Sequence, residues 1–388
     1  MNLEKKLNRN IHTDYIFCFL RNFDVSSAIW VLYMVYRGLP LWQIGLVEGI
    51  FHIASFLFEM PSGVLADLAG RKKVMLWGRI FAAVSAVILL FSAKLWQFVL
   101  GFILSALSYN LNSGSEEALV YDSLKLLDQE QEYVKVNGRM NVLIEIASGA
   151  ATFLGGILAE QSFAACYLAA AAVAGISILP AFLLQEPPIR EEREKRDVKI
   201  HFLETVQVLK DHPGVIGVLL YYPMVETFYT VVYFYGQQYF AEFGCSRIEI
   251  SLLMLAAGIV SCLGALSSER ILGILGEKTR YVISFLLGAS IVAISRGGIV
   301  IAVAAFLAAS YVNSLIYPIA SAALNRQIPS RHRATIISVD SMCFSVMMLC
   351  FFPAVGGIAT KYSLGMAFLI LGTVELILTL LIVKKTKP

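Results

Sequence analysis

The sequence is short of charge. Asp, Glu, Lys and Arg make up only 15% of its 388 residues, against 58% hydrophobic residues. Mean hydropathy is +0.71. A soluble chain of this length has no core large enough to hide so much apolar side chain. Long polar stretches are missing too, apart from residues 185–212, which hold Pro187, Pro188 and a charge run over 190–199. The absence of a Walker-type phosphate loop argues against ATP drive within the chain. The six cysteines form no CxxC pair and lie in or beside apolar runs, so neither a disulfide frame nor a metal centre is expected. No His/Cys cluster has ligand spacing and no enzyme constellation is present, so no cofactor and no catalysis are expected. Residues 1–10 are polar and the first apolar run has full span length, so no cleavable signal peptide is expected either.

What the chain does have is long apolar runs. A membrane helix needs about 20 apolar residues, and the length accommodates about twelve with short loops. The runs fall at 14–36, 43–65, 74–93, 95–121, 138–160 and 163–184, then at 214–240, 248–268, 280–296, 298–324, 334–360 and 364–384. The reading is an all-α membrane protein of twelve transmembrane helices in two pseudo-symmetric six-helix bundles. The bundles are expected at 1–184 and 214–388, with a cytoplasmic linker at 185–213. Basic residues cluster at Lys5, Lys6, Arg9, Arg71 to Lys73, the linker and Lys384 to Lys387. The opposite loops hold only Arg37, Lys94, Arg247, Arg296 and Lys361. By the positive-inside rule both termini are cytoplasmic. The halves also repeat: a shift of 206 aligns Ser62–Lys72 with Ser268–Lys278, and a shift of 201 aligns Gly155 and Gly156 with Gly356 and Gly357.

The loop between the second and third runs holds Gly63, Leu65, Asp67, Gly70, Arg71, Lys72 and Lys73 in the pattern G-x-L-x-D-x-x-G-R-[RK]-[RK]. A basic turn obeying membrane topology would explain the last three residues, but not Asp67 or the glycines. The pattern resembles the diagnostic first-loop motif of the major facilitator superfamily, bacterial multidrug efflux-type members in particular. The resemblance implies a conformational latch of Gly63, Asp67, Gly70 and Arg71, with Asp122 as the partner of the arginine. It also implies two rocking bundles around a central cavity. Two further family motifs are incomplete. Gln97 stands four residues before Gly101 where the family carries arginine, and Ala151 and Thr152 replace the Gly-Pro of drug–proton antiporters.

In the family fold the first, fourth, seventh and tenth spans line the cavity. Near their midpoints lie Asp24, then Tyr109, Asn110 and Asn112, then Glu226, and finally Asn313 and Tyr317. An ionisable group at that depth costs at least about 2.5–3.5 kcal/mol on insertion scales, so each is a functional candidate. Asp24 also has Arg21 one turn away as an intrahelical ion-pair partner, and each Asn or Tyr has an interhelical hydrogen bond as its competing role. Glu48 and His52 sit at i, i+4 and could share a proton or form a structural bond. Tyr222 and Tyr229 flank Glu226 on one helix face, which suits a lipophilic cation, while Tyr233 and Tyr235 read as interfacial tyrosines. Glu116 and Asp340 are expected nearer the cytoplasmic ends, in gates or in pairs with Arg79 or Arg139. The functional expectation is a secondary transporter, proton-driven and exporting lipophilic or cationic compounds. A metabolite importer or facilitator, a lipid flippase and a non-transporting sensor are the alternatives. The expected partners are a small-molecule substrate, protons and the lipid bilayer of the cell membrane; no nucleic acid is expected, and the chain reads as a monomer.

Overall fold

The computed structural model describes residues 3–188, 213–316, 318–319 and 333–385. Most of the expected linker, and Tyr317, lie outside the described residues. Every regular element among the described residues is helical: α1 Leu3–Asn22, α2 Trp30–Tyr36, α3 Leu41–Ala69, α4 Arg71–Phe91, α5 Leu95–Asn112, α6 Ser115–Lys125, α7 Tyr133–Gln161, α8 Phe163–Ile176, α9 Ile178–Leu183, α10 Pro213–Glu242, α11 Arg247–Leu275, α12 Thr279–Arg296, α13 Ile299–Ser314, α14 Arg333–Lys361 and α15 Leu364–Lys385. Described helix is found at each of the expected spans, and among the described residues seven segments are long and apolar enough to cross a bilayer unaided.

Among the described residues three of the spans are interrupted, and local chemistry explains why. Residues 23–29 separate α1 from α2. There the backbone N–H and the hydroxyl of Ser26 both donate to Asp24 Oδ1, at 2.9 and 2.6 Å. The Ser27 hydroxyl donates to the Asp24 carbonyl at 2.9 Å. Short polar side chains that bond their own backbone compete with the helix ladder. Between α5 and α6 the chain turns at Ser113 and at Gly114, whose φ of +71° is left-handed. Between α8 and α9 a single residue, Ser177, marks the break.

The chain forms two compact units. The first contains residues 1–37, 50–191 and 246–252, and the second 38–49, 192–245 and 253–388. In the first, α4 lies along α5 and α8, and α1 packs on α6 and α7. Its core includes Phe17, Met75, Leu119 and Ala181. In the second, α12 lies along α13 and α15, and α10 packs on α14.

Each unit depends on a glycine where a helix meets foreign backbone. In the first, a side chain at Gly155 of α7 would drive into the carbonyl of Val25 in the helix break. In the second, a side chain at Gly356 of α14 would meet the Leu41 carbonyl at 2.5 Å and the Tyr235 hydroxyl. That hydroxyl bridges the carbonyls of Leu41 and Phe352, both at 3.1 Å. Tyr235 is thus fully buried, not interfacial as its sequence context implied. The two glycines are those that the 201-residue shift aligns. Backbone cannot step aside as a side-chain tip can, so Gly155→Val is expected to destabilise the protein by about 1–3 kcal/mol. Gly175→Ala, which faces open space, is expected to leave stability unchanged or raise it. Thermal unfolding of the purified protein in detergent compares the two.

Candidate functional site

The interrupted first and fourth spans place opposite charges at opposite helix ends. Arg21 lies in the last turn of α1, where the helix dipole favours a cation, and Glu116 in the first turn of α6, where it favours an anion. The two side chains form an ion pair, with Arg21 21% and Glu116 5% exposed. The pair replaces both partnerships anticipated from sequence: Arg21 bonds Glu116 and not Asp24, and Glu116 bonds Arg21 and not Arg79 or Arg139. Two turns back along α1 from Arg21, Asp14 is wholly buried and neither of its carboxyl oxygens has a hydrogen-bond partner among the described residues.

Above this pair opens a cavity of about 250 Å³ inside the first unit. Asp24, Arg21, Arg79, Tyr109, Asn112 and Ser85 contribute its polar surface. Asp24 reaches it because the helix is broken there; a continuous helix would have carried the residue past on its own face. Arg79 of α4 is only 6% exposed. Its Nε donates to Ser177 Oγ at 2.7 Å, and that hydroxyl is in turn fixed on the Ala174 carbonyl at 2.6 Å. Asn112 donates to the Ser108 carbonyl at 2.7 Å, leaving its buried Oδ1 without a partner. A smaller cavity of about 70 Å³ lies on the other side of Arg21, against Gly114, Glu116 and Asn137. Asn110, by contrast, is turned away from both. Its amide accepts from the Ser55 hydroxyl at 2.9 Å and donates to the Ser55 carbonyl at 2.6 Å, clamping α5 to α3. Glu48 and His52 are both buried on α3.

The first loop is built as a tied corner. Gly70 has φ +94°, which an L side chain rarely adopts. A Cβ there would also sit 3.1 Å from the Glu186 carboxylate. That carboxylate caps α4, accepting from the N–H of Arg71 at 2.9 Å and of Lys72 at 2.8 Å. The Arg71 side chain donates to the Ala118 carbonyl at 2.7 Å and pairs with Asp122. The Arg71–Asp122 contact is the one the motif implied. The Glu186 cap had no sequence signal, because its partner lies more than a hundred residues away. Gly63 faces open space, and the side chain of Asp67 lies outside the described residues.

In the second unit the candidates are spread over α10 and α13. Glu226 is exposed and its carboxylate makes no hydrogen bond or ion pair among the described residues, while the Asp340 carboxylate of α14 lies within electrostatic reach. Tyr229 donates to Ser310 Oγ at 3.0 Å. Tyr222 is buried with its ring centroid 4.8 Å from that of Tyr221. Asn313 Oδ1 is buried without a partner among the described residues.

A helical protein with apolar spans, broken helices and a polar cavity at the breaks has the construction of a membrane carrier. The sequence profile of the Major Facilitator Superfamily matches residues 15–294 and, in a second match, 229–388, so the chain belongs to that superfamily. It is therefore a multi-pass membrane protein of a transporter family and not an enzyme. The chain is 27% identical over 214 residues to the uncharacterised MFS-type transporter MJ1560 of Methanocaldococcus jannaschii, covering 53% of this chain and 54% of that one. It is 27% identical over 158 residues to the inner membrane transport protein YajR of Escherichia coli, covering 41% of this chain and 34% of that one. The chain thus spans about half the length, or less, of these curated relatives. Among solved structures, a mutant of the nucleoside transporter NupG superposes with a TM-score of 0.83 at 16% identity, covering 100% of both chains, a likeness of fold.

Removing one member of a buried ion pair strands the other, so Glu116→Ala is expected to cost about 3 kcal/mol of stability. Glu186→Ala removes only a cap and is expected to cost about 0.5–2 kcal/mol. Chemical denaturation of the two variants in one detergent ranks them.

Proposed function

We propose that the chain is a secondary active transporter that works by alternating access, exchanges protons for substrate, and exports small molecules bearing a cationic group. The observation that carries this reading is Asp24. Its Oδ1 is occupied by Ser26, while its Oδ2 has no partner among the described residues and lies at a cavity wall. A carboxylate at membrane depth is stable only when a proton or another cation accompanies it. Proton and cationic substrate then exclude each other, which couples their movements in opposite directions. Glu226, with Tyr222 and Tyr229 on the same helix, offers a second such acid beside aromatic rings, and Glu48 and His52 a third proton-handling pair. Within the expected range of substrates, the arginine, serine and asparagine lining supports the polar end over the lipophilic end. The reading includes a monomer in the cell membrane with both termini cytoplasmic, on the distribution of basic residues. The Arg71–Asp122 pair acts in it as the latch of one transport state, with Gly63, Asp67 and Gly70 shaping the loop. Export follows the resemblance to bacterial multidrug efflux-type members.

The same polar lining favours a second reading, the carriage of a neutral polar metabolite. Proteoliposomes with an imposed pH gradient separate the two. Gradient-driven movement of small amines, lost in Asp24→Asn and in Glu226→Gln, is the expected result. Amine flux that ignores the gradient and both substitutions sinks the proposal. Gradient-independent flux of a neutral nucleoside or sugar in its place supports the second reading.

A further inference from the structure

Arg79 is left over by this account. It stands inside the bundle, 6% exposed, and no carboxylate pairs with it among the described residues. The ion pair between Arg21 and Glu116 is already closed. Of the charges that act on Arg79, that leaves Asp24 as the unpaired one, and it stands apart on the wall of the same cavity. A buried guanidinium without a counter-charge is costly, and a free carboxylate across a polar space is costly in the same way. Both costs vanish if one occupant carries both complementary charges.

The geometry supports such an occupant. Ser177 holds Nε of Arg79, so the guanidinium is fixed in orientation. Its two terminal nitrogens have no partner among the described residues, and they present the planar fork that matches a carboxylate or phosphate. Asn112 Oδ1, buried on the same wall, is an acceptor without a donor. Ser85 and Tyr109 complete a surface able to bond a polar body. The space of about 250 Å³ fits a single small solute, below the roughly 300–1,000 Å³ of pockets for drug-sized ligands.

We propose that the cavity of the first unit takes an amphoteric solute, its anionic group on Arg79 and its cationic group on Asp24. The inference rests on the transport reading and narrows its substrate to small molecules that carry both charges. Its test is a binding measurement without membrane or gradient, so it can fail while transport stands.

Three probes share one skeleton: phenylalanine, with both charges; phenethylamine, with only the cation; and 3-phenylpropanoate, with only the anion. Calorimetric titration of the detergent-purified full chain is expected to show phenylalanine binding at least about tenfold tighter than either partner, since each singly charged probe lacks one of the two charge-assisted contacts. In Arg79→Gln, phenylalanine should fall to the affinity of phenethylamine; in Asp24→Asn, to that of 3-phenylpropanoate. Asp24 is exposed to the cavity, so the second variant keeps the test decisive if the first fails to fold. Equal binding of phenylalanine and a singly charged probe to the wild type, binding of none of the three, or ratios unaltered by both substitutions would overturn the proposal.

Discussion

Inside a bilayer every backbone N–H and carbonyl must be satisfied by the protein itself, because hydrocarbon offers no hydrogen bonds. A helix meets that demand automatically, and a break in a helix does not. In the first unit the broken ends are answered by polar side chains: Asp24 and Ser26 around the first break, Ser177 at the third, and the Arg21–Glu116 pair between the ends of α1 and α6. The rest of the unit follows from this constraint. Polar groups gather where helices are interrupted, they exclude close apolar packing, and the cavity forms there.

The same constraint separates residues that hold the fold from residues left to act. Asn110 bonds Ser55 through both its amide oxygen and its amide nitrogen, and Arg71 is tied to Ala118 and Asp122. Asp24, Arg79 and Asn112 each retain an unfilled direction on the wall of one cavity. A polar group maintained at membrane depth without a protein partner is expensive, and the expense is understandable when a ligand or a proton supplies the partner. The tied corner at Gly70 is different in kind. There Glu186 caps the start of α4 and Asp122 pairs with its arginine, so the charges at the corner are matched within the protein.

Much of the fold was legible in the residue order. The apolar runs located the helices, and the first-loop pattern announced both the family and the contact of Arg71 with Asp122. The offset glycines Gly155 and Gly356 marked the duplication, and the structure shows both at points where backbones meet closely. The site was legible only in part. Asp24 stood out because a lone carboxylate in an apolar run is unusual. Arg79 read as an ion-pair partner for a carboxylate near the cytoplasmic ends, and Asn110 as a cavity residue with an interhelical hydrogen bond as its competing role, the role its bonds to Ser55 show. Tyr235 read as interfacial and is buried. Each of these depends on which way a side chain points, and helical periodicity cannot settle that when every face of a helix is apolar.

By itself the sequence determined that this chain lives in a membrane as helices. The reason is energetic: so much apolar surface cannot be hidden from water in any soluble fold. It also determined the family, through residues whose spacing is set by a single tight turn. Tertiary structure alone decided the partners of Arg21, Glu116 and Glu186. Arg21 is 95 positions from Glu116, and Glu186 is 115 from Arg71, separations over which no local pattern operates. Whether a buried charge is spent on another helix or kept for a ligand is a property of three-dimensional packing. In this protein that packing leaves Arg79 and Asp24 on the wall of one cavity.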